Sequence, residues 1–249
     1  IMPSLVGSEM CIRDRDSNIQ SDFVQVDEDT RINVKLKSGQ ETEINAPGPK
    51  VTHAQFEQLL SQIRRTTNDD IVIVAGSVPN SIPSDAYAQI AQITEKTGAQ
   101  LVVDAEKDLV ETVLPYRPLF IKPNKDELEV MFNTTVKSDE DVIKYGKEIL
   151  KKGAQSVIIS LGGDGAIYVD QHQSIKAVNP QGHVVNTVGS GDSTVAGMVA
   201  GLSMGLNIDE AFQQAVASGT ATAFSEDLAT RDAIENIKSQ VTISVLDGE

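Results

Sequence analysis

The segment best suited to chemistry is a glycine loop that carries an acid, residues 186–192 with the sequence NTVGSGD. Its two glycines allow a tight turn that points backbone N–H groups outward, and a helix predicted over 195–206 adds the positive end of its dipole. Such a loop can hold an anion while the carboxylate of Asp192 accepts a proton from an attacking hydroxyl. An Asp that merely caps a helix also fits this spacing. The spacing alone leaves both interpretations open.

The elements that must position this loop alternate between strands and helices. Apolar runs at 71–75, 101–103, 119–121 and 157–161 are too short for helices and are typical of strands buried on both faces of a parallel sheet. Helical spacing separates them, as over 139–152, so the fold class is α/β with helices on both faces. Ligands bind at the carboxyl ends of such strands. Polar residues or glycines follow these strands and should converge there: Gly76, Ser77, Asp104, Lys122, Asn124, Ser160, Gly162, Asn186 and Thr187.

The amino-terminal residues follow a different pattern. Residues 31–37 and 41–44 are strand-like and flank Ser38-Gly39-Gln40, which predicts a β-hairpin, and Pro47-Gly48-Pro49 marks a boundary after it. We therefore divide the chain into a small β segment over 16–46 and an α/β domain over 47–249. Residues 1–15 show neither strand nor helical periodicity, and we interpret them as a non-native scar.

The composition limits the classes of partner. The chain has 21 Lys and Arg against 36 Asp and Glu, a net charge of −15, and no basic run offsets it, so neither nucleic acid nor an anionic membrane is an expected partner. The single cysteine, Cys11, rules out an internal disulfide. With no span-length apolar stretch and no secretory signal, this favours the cytoplasm. A small anionic substrate remains compatible, because a few donors in a cleft can outweigh distant, screened charge.

Four ordered segments resemble the ribokinase-like sugar kinases of the phosphofructokinase-B group. They are 75–79 (AGSVP), 122–127 (KPNKDE), 160–165 (SLGGDG) and the glycine loop, in which Asn186 and Ser190 depart mildly from the family pattern. The resemblance implies a three-layer α/β/α sandwich with a mostly parallel sheet and a small β lid. It also implies that the family's first strands and part of its lid are truncated here, which would expose an edge of the sheet.

The resemblance also implies a role for each matched position. Asp192 would be the catalytic base, with the N–H groups of Gly189, Ser190 and Gly191 as the anion hole. Asn124 and Glu127 would hold Mg²⁺ through water, while Arg31 and Ser77 would hold the phosphate already present on the sugar. ATP would lie against Lys122, Asn124, Ser160, Gly162, Gly163, Asp164 and Gly165 as well as the anion hole.

The residues themselves leave structural alternatives for several of these positions. Glu127 also fits a first-turn acid that complements a helix dipole, and the glycines of 162–165 also fit a tight turn between strands. Lys122 also fits a solvated strand end. Arg31 also fits a surface charge on the hairpin.

The implied reaction moves the γ-phosphoryl group of MgATP to the 6-hydroxyl of fructose 1-phosphate. The β lid would exclude water, and in this family such lids pair between subunits, which implies a homodimer. The alternative substrate is tagatose 6-phosphate. An alternative of another class is a non-catalytic nucleotide-binding remnant, whose mark would be loss of Asp192 or of the pair Gly189 and Gly191, and neither is lost.

Overall fold

The computed structural model describes residues 19–29, 32–38, 40–46 and 48–248. Within them, the predicted hairpin is confirmed as β1 (Asn33–Ser38) and β2 (Gln40–Asn45), which pair antiparallel in a sheet of their own. A seven-stranded sheet forms the centre of the molecule. Its strands lie side by side in chain order: β3 (Ile71–Ala75), β4 (Gln100–Asp104), β5 (Phe120–Ile121), β6 (Ser156–Ser160), β7 (Ala166–Val169), β8 (Gln173–Val178) and β9 (Thr242–Gly248).

The large sheet changes direction half-way across. The strands from β3 to β6 are parallel to one another, whereas β7, β8 and β9 each run antiparallel to the strand before. The parallel half is where the carboxyl ends of successive strands meet at a common edge. β3 is the outermost strand on that side of the described sheet, and its Ile73 is 45% exposed, as expected for an uncovered edge.

Helices cover both faces of this sheet. One face is packed by α1 (His53–Ile63), α2 (Ala86–Thr97), α3 (Lys107–Val113), α4 (Lys125–Phe132) and α5 (Asp139–Lys152). The other is packed by α6 (Ser190–Ser203), α7 (Ile208–Ala223) and α8 (Arg231–Lys238). Leu101 and Val103 of β4 enter the first core while Val102 enters the second, as the two-residue period of a strand requires. The three-layer α/β/α sandwich is confirmed. In the part of the chain that the structure describes, every helix is too short or too polar to cross a membrane.

Glycines bring α6 and α7 into backbone contact and so fix where α6 starts. A Cβ on Gly197 of α6 would lie 2.9 Å from Ala215 Cα, and a Cβ on Gly219 of α7 would lie 2.9 Å from the Ser190 carbonyl oxygen. Any larger side chain at either position would push the helices apart. The amino-terminal end of α6 is therefore held by packing along the helix as well as by its own loop.

Candidate active site

Several of the polar residues predicted to converge meet at the carboxyl ends of the parallel strands. Asp104 ends β4, and its backbone carbonyl accepts a hydrogen bond from Gly76 N–H at 3.0 Å. Lys122 follows β5 directly, and Asn124 forms a parallel bridge with Ser160 at the end of β6. The four strand ends are thus joined by backbone contacts into one polar edge.

Helix α6 delivers Asp192 to this edge. Gly189 is the N-cap of the helix and has φ of +80°, a left-handed conformation that glycine adopts without strain. The Asn186 side-chain oxygen accepts the Val188 N–H at 3.2 Å and shapes the approach to that turn. Asp192 lies in the first turn, with an exposed side chain. The interpretation of Asp192 as the cap is therefore wrong, since a glycine holds the capping position.

The start of α6 leaves backbone donors for an anion. Ser190 N–H donates to the Thr187 carbonyl at 3.3 Å, and Ser193 N–H donates to the Gly189 carbonyl at 2.8 Å, which begins the helical ladder. Between them, the N–H groups of Gly191 and Asp192 have no partner within the helix. They lie at the positive end of the α6 dipole, which favours a negatively charged ligand.

A buried ion pair lies beneath the glycine loop. Lys122 Nζ is 3.2 Å from Asp104 Oδ2, and the two side chains are 7% and 18% exposed. A Cβ on Gly191 would lie 3.3 Å from Lys122 Nζ, so the ammonium group packs directly against the loop. The interpretation of Lys122 as a solvated strand end is therefore wrong.

The charges in this cluster act on one another. Burial raises the pKa of Asp104, the charge and hydrogen bond of Lys122 lower it, and the charge of Asp192 raises it. The Lys122 ammonium group, paired with Asp104 and packed on Gly191, is well placed to attract an incoming phosphate. The sequence placed Asp104 at this edge without a role. Its opposite charge to Lys122, at the ends of neighbouring strands, is the signal that could have identified the pair.

Tyr87 is a site residue that the sequence did not reveal. Its hydroxyl donates to the Gly76 carbonyl at 2.9 Å, and Gly76 has φ of +83°. Burial, and to a smaller extent the charge of Asp104, raises the pKa of Tyr87 to about 12, so the hydroxyl keeps its proton. The hydrogen bond therefore restrains the turn that carries Ser77, which lies exposed at the end of β3.

Asn124 and Glu127 form a reciprocal cap at the start of α4. Asn124 Oδ1 accepts the Glu127 N–H at 2.8 Å, and Glu127 Oε2 accepts the Asn124 N–H at 2.8 Å. The pair is thus a capping box, which agrees with the helix-start interpretation of Glu127. It fixes both side chains at the mouth of the polar edge, beside Ser160.

The turn at 162–165 combines a steric requirement with an open surface. A Cβ on Gly165 would collide with the Ala177 carbonyl oxygen, so the glycine there is needed for packing. At Gly162 and Gly163 a Cβ would meet no described atom within 4 Å. Asp164 shares the short helical turn with them. The tight-turn interpretation thus accounts for Gly165, whereas the space above Gly162 and Gly163 is free for a ligand.

Two of the features predicted from the sequence cannot be compared with the structure. Arg31 and the segment 1–15 lie outside the described residues.

Among the described residues, no group of three or more His, Cys, Asp or Glu side chains is arranged to hold a metal. Within the described residues, the polar edge therefore combines carboxylates, the buried Lys122 ammonium group and helix-start amides.

The comparison with known families decides the class of this chain. The model of the pfkB family of carbohydrate kinases matches residues 6–233, which include the whole polar edge. The chain belongs to this family. It is a PfkB carbohydrate kinase, and the resemblance seen in its four segments is confirmed.

Individual relatives place this PfkB kinase among enzymes of sugar phosphates. The 1-phosphofructokinase of Bacillus subtilis is 41% identical over 232 residues, covering 93% of this chain and 77% of that protein. The D-tagatose-1-phosphate kinase of Bacillus licheniformis is 35% identical over 229 residues, covering 92% and 75%. A crystal structure from Staphylococcus aureus, with a provisional phosphofructokinase assignment, is 79% identical with a TM-score of 0.87, covering 96% of this chain and 78% of that one.

Proposed function

We propose that this PfkB kinase transfers the γ-phosphoryl group of ATP to the 6-hydroxyl of fructose 1-phosphate, giving fructose 1,6-bisphosphate and ADP. The observation that carries the proposal is the position of Asp192, exposed in the first turn of α6, next to a loop that packs on the Lys122 ammonium. The 41% identical 1-phosphofructokinase supports this substrate.

The chain's own groups can divide the chemistry between them. The Asp192 carboxylate takes the proton of the 6-hydroxyl as that oxygen forms its bond to the γ-phosphorus, and the bond from phosphorus to the ADP oxygen breaks. The N–H groups of Gly191 and Asp192, with the Lys122 ammonium, stabilise the negative charge on the transferring group. Ser190, predicted as a donor of the anion hole, instead gives its N–H to the Thr187 carbonyl, and Gly189, also predicted as a donor, is the N-cap that forms the bend.

The part of the polar edge at the end of β6 suits the nucleotide. Ser160 and the open glycines Gly162 and Gly163 offer a backbone surface at the end of β6. Asn124 and Glu127 supply the hard oxygen ligands that Mg²⁺ prefers, but one oxygen of each is used in the capping box. This fits an ion that keeps its waters and takes its other ligands from substrate phosphates. Bound Mg²⁺ would neutralise charge on the β- and γ-phosphates.

Replacing Glu127 by Gln tests the role of its negative charge separately from its role in the α4 cap. Gln keeps an oxygen that accepts the Asn124 N–H, so the α4 cap and the thermal midpoint of unfolding should be retained. Loss of the carboxylate should raise the Mg²⁺ concentration for half-maximal velocity about tenfold. The matched control is Glu140→Gln, an exposed first-turn acid of α5. An unchanged Mg²⁺ requirement in Glu127→Gln would remove Glu127 from the metal site.

The choice of sugar is tested by ADP release with fructose 1-phosphate, tagatose 1-phosphate and tagatose 6-phosphate. We expect kcat/KM to be at least about tenfold higher for fructose 1-phosphate, because a misplaced hydroxyl leaves a polar partner unpaired. The 35% identical D-tagatose-1-phosphate kinase makes tagatose 1-phosphate the informative competitor. A higher kcat/KM for either tagatose phosphate would assign the enzyme to the alternative. Turnover of none of them would support the non-catalytic alternative.

We also propose that the β1–β2 hairpin acts as a lid over the sugar and pairs between two subunits. Ile32, which precedes β1, is 66% exposed, and Ile44 of β2 is 54% exposed. Apolar surface of this kind is stabilised when closure or pairing covers it. Covering the sugar would also keep water away from the γ-phosphate of ATP.

A further inference from the structure

The side chain of Asn179 connects the turn at 162–165 with helix α7. Its Nδ2 donates to the Gly162 carbonyl at 3.0 Å and to the Gly163 carbonyl at 3.4 Å, and its Oδ1 accepts the Thr220 hydroxyl at 2.8 Å. Thr220 is 6% exposed, so its end of the link is anchored in the core. The orientation of the amide is set by its partners, because two carbonyl oxygens require a donor.

The same stretch of α7 also supports the glycine loop. Gly219 packs against the Ser190 carbonyl, as described above, and the Thr222 hydroxyl donates to Ser193 Oγ at 2.9 Å. Residues 219–222 therefore hold two separate loops at once, the anion-binding start of α6 and, through Asn179, the turn after β6. The distance between these loops is set by one helix.

The turn at 162–165 needs an external restraint. Gly162 has φ of +61° and Gly165 has φ of +95°, and two adjacent backbone hydrogen bonds are long, at 3.3 Å for Asp164 N–H to the Leu161 carbonyl and 3.2 Å for Gly165 N–H to the Gly162 carbonyl. A glycine-rich turn has many accessible conformations, and ordering it on ligand binding costs free energy. The Asn179 amide restrains the two residues that face open space.

We propose that Asn179 is a positioning residue for the nucleotide, holding the 162–165 turn at the correct distance from the glycine loop before ATP binds. The proposal rests on the proposed function, in which ATP extends between these two loops. Asn179 does not touch the reacting atoms. Its loss should therefore weaken ATP binding without slowing the chemical step at saturating ATP, and it should leave the sugar-phosphate side unaffected.

The most informative variant is Asn179→Asp. Asp keeps an acceptor for the Thr220 hydroxyl but loses both donors and turns a negative charge toward the Gly162 and Gly163 carbonyls. We expect the Kd for ATP, measured by calorimetry, and the KM for ATP to rise about fivefold to tenfold, the effect of losing one or two ordinary hydrogen bonds. The KM for fructose 1-phosphate and kcat at saturating ATP should stay within about twofold. Asn236→Asp adds the same charge on exposed α8 as the control.

A double-mutant cycle with Thr220→Val tests the link itself. Thr220→Val should by itself weaken ATP binding about twofold to threefold. It should add no further loss in the Asn179→Ala background, because the hydrogen bond between residues 179 and 220 is already absent there. An unchanged Kd for ATP in Asn179→Asp would overturn the proposal while leaving the kinase function intact. So would a loss of thermal stability accompanied by a lower kcat and a higher KM for both substrates, which marks a purely structural role. A parent protein that binds no ATP would overturn both this proposal and the proposed function.

Discussion

Replacement of Asp192 by Asn should lower kcat about a thousandfold, with the KM for ATP and for fructose 1-phosphate changed by less than about threefold. A positioned general base contributes on the order of 10² to 10⁴ in rate, and Asn keeps the shape of the side chain without accepting the proton. A loss in kcat with little change in KM is the signature of an interaction made in the transition state. Steady-state ADP release at saturating substrates measures it.

The fold should survive this replacement, which keeps the result interpretable. Asp192 is exposed and is not the cap of α6, so the thermal midpoint of unfolding should change little. The matched control is Asp232→Asn, an exposed first-turn acid of α8 that loses the same interaction with a helix dipole. Parental turnover in Asp192→Asn would exclude proton abstraction by this residue.

Replacement of Lys122 by Met should reduce both activity and stability. Met matches the buried stem of the lysine but removes the charge beside the glycine loop, so kcat should fall about 100-fold, as for loss of one donor to the developing charge. It also leaves Asp104 largely buried without its cation. Breaking a buried pair on one side is costly, and with Asp104 18% exposed we expect a loss of about 2 to 3 kcal/mol at pH 7.

The stability of Lys122→Met should depend on pH in a definite direction. The pKa of Asp104 is already raised above its ordinary value of 3.8 by burial, and removal of Lys122 takes away both influences that lower it. An acid whose pKa is raised by folding stabilises the fold while it is protonated, and this contribution is lost as pH rises through the folded-state pKa. The free energy of unfolding of Lys122→Met should therefore fall from about pH 4 toward neutrality more steeply than that of the parent.

A second replacement separates the stability effect from catalysis. In Lys122→Met with Asp104→Asn, a neutral amide replaces the unpaired carboxylate, so most of the stability at pH 7 should return. Activity should not return, because the ammonium group is still absent. Denaturant unfolding at pH 5 and pH 7 provides the comparison. Full stability of the single variant at pH 7 would show that Lys122 does not compensate the burial of Asp104.

Much of the sheet and several helices were predictable from local pattern. The apolar runs identified β3, β4, β5 and β6 because strands buried on both faces need continuous apolar sequence. Helix α5 has the predicted bounds, since its acids, apolar stripe and terminal lysines agree. β8 and β9 were missed because their sequences mix polar and apolar residues, and β9 pairs with a strand that is distant in sequence. Helix α6 starts at Ser190 rather than 195, because packing against Gly219 extends it through small residues.

The site was predictable where roles follow strand ends, and less so where they depend on tertiary contact. Asp192 was found because it follows a glycine loop, and Lys122 was found because it follows a strand at the carboxyl edge of the sheet. Asp104 was placed correctly but without its partner, since pairing requires knowing that β4 and β5 are neighbours. Tyr87 and Asn179 carry no local signal. Each acts through a side-chain hydrogen bond to a glycine carbonyl that is distant in sequence.

A crystal structure with fructose 1-phosphate, Mg²⁺ and a non-hydrolysable ATP analogue would show directly whether Asp192 reaches the attacking hydroxyl. We expect the sugar 6-hydroxyl oxygen to lie within about 3.2 Å of the Asp192 carboxylate. We also expect the terminal phosphate to lie against the N–H groups of Gly191 and Asp192, near Lys122 Nζ. A 6-hydroxyl remote from Asp192, or a triphosphate that lies away from the start of α6, would contradict the proposed function.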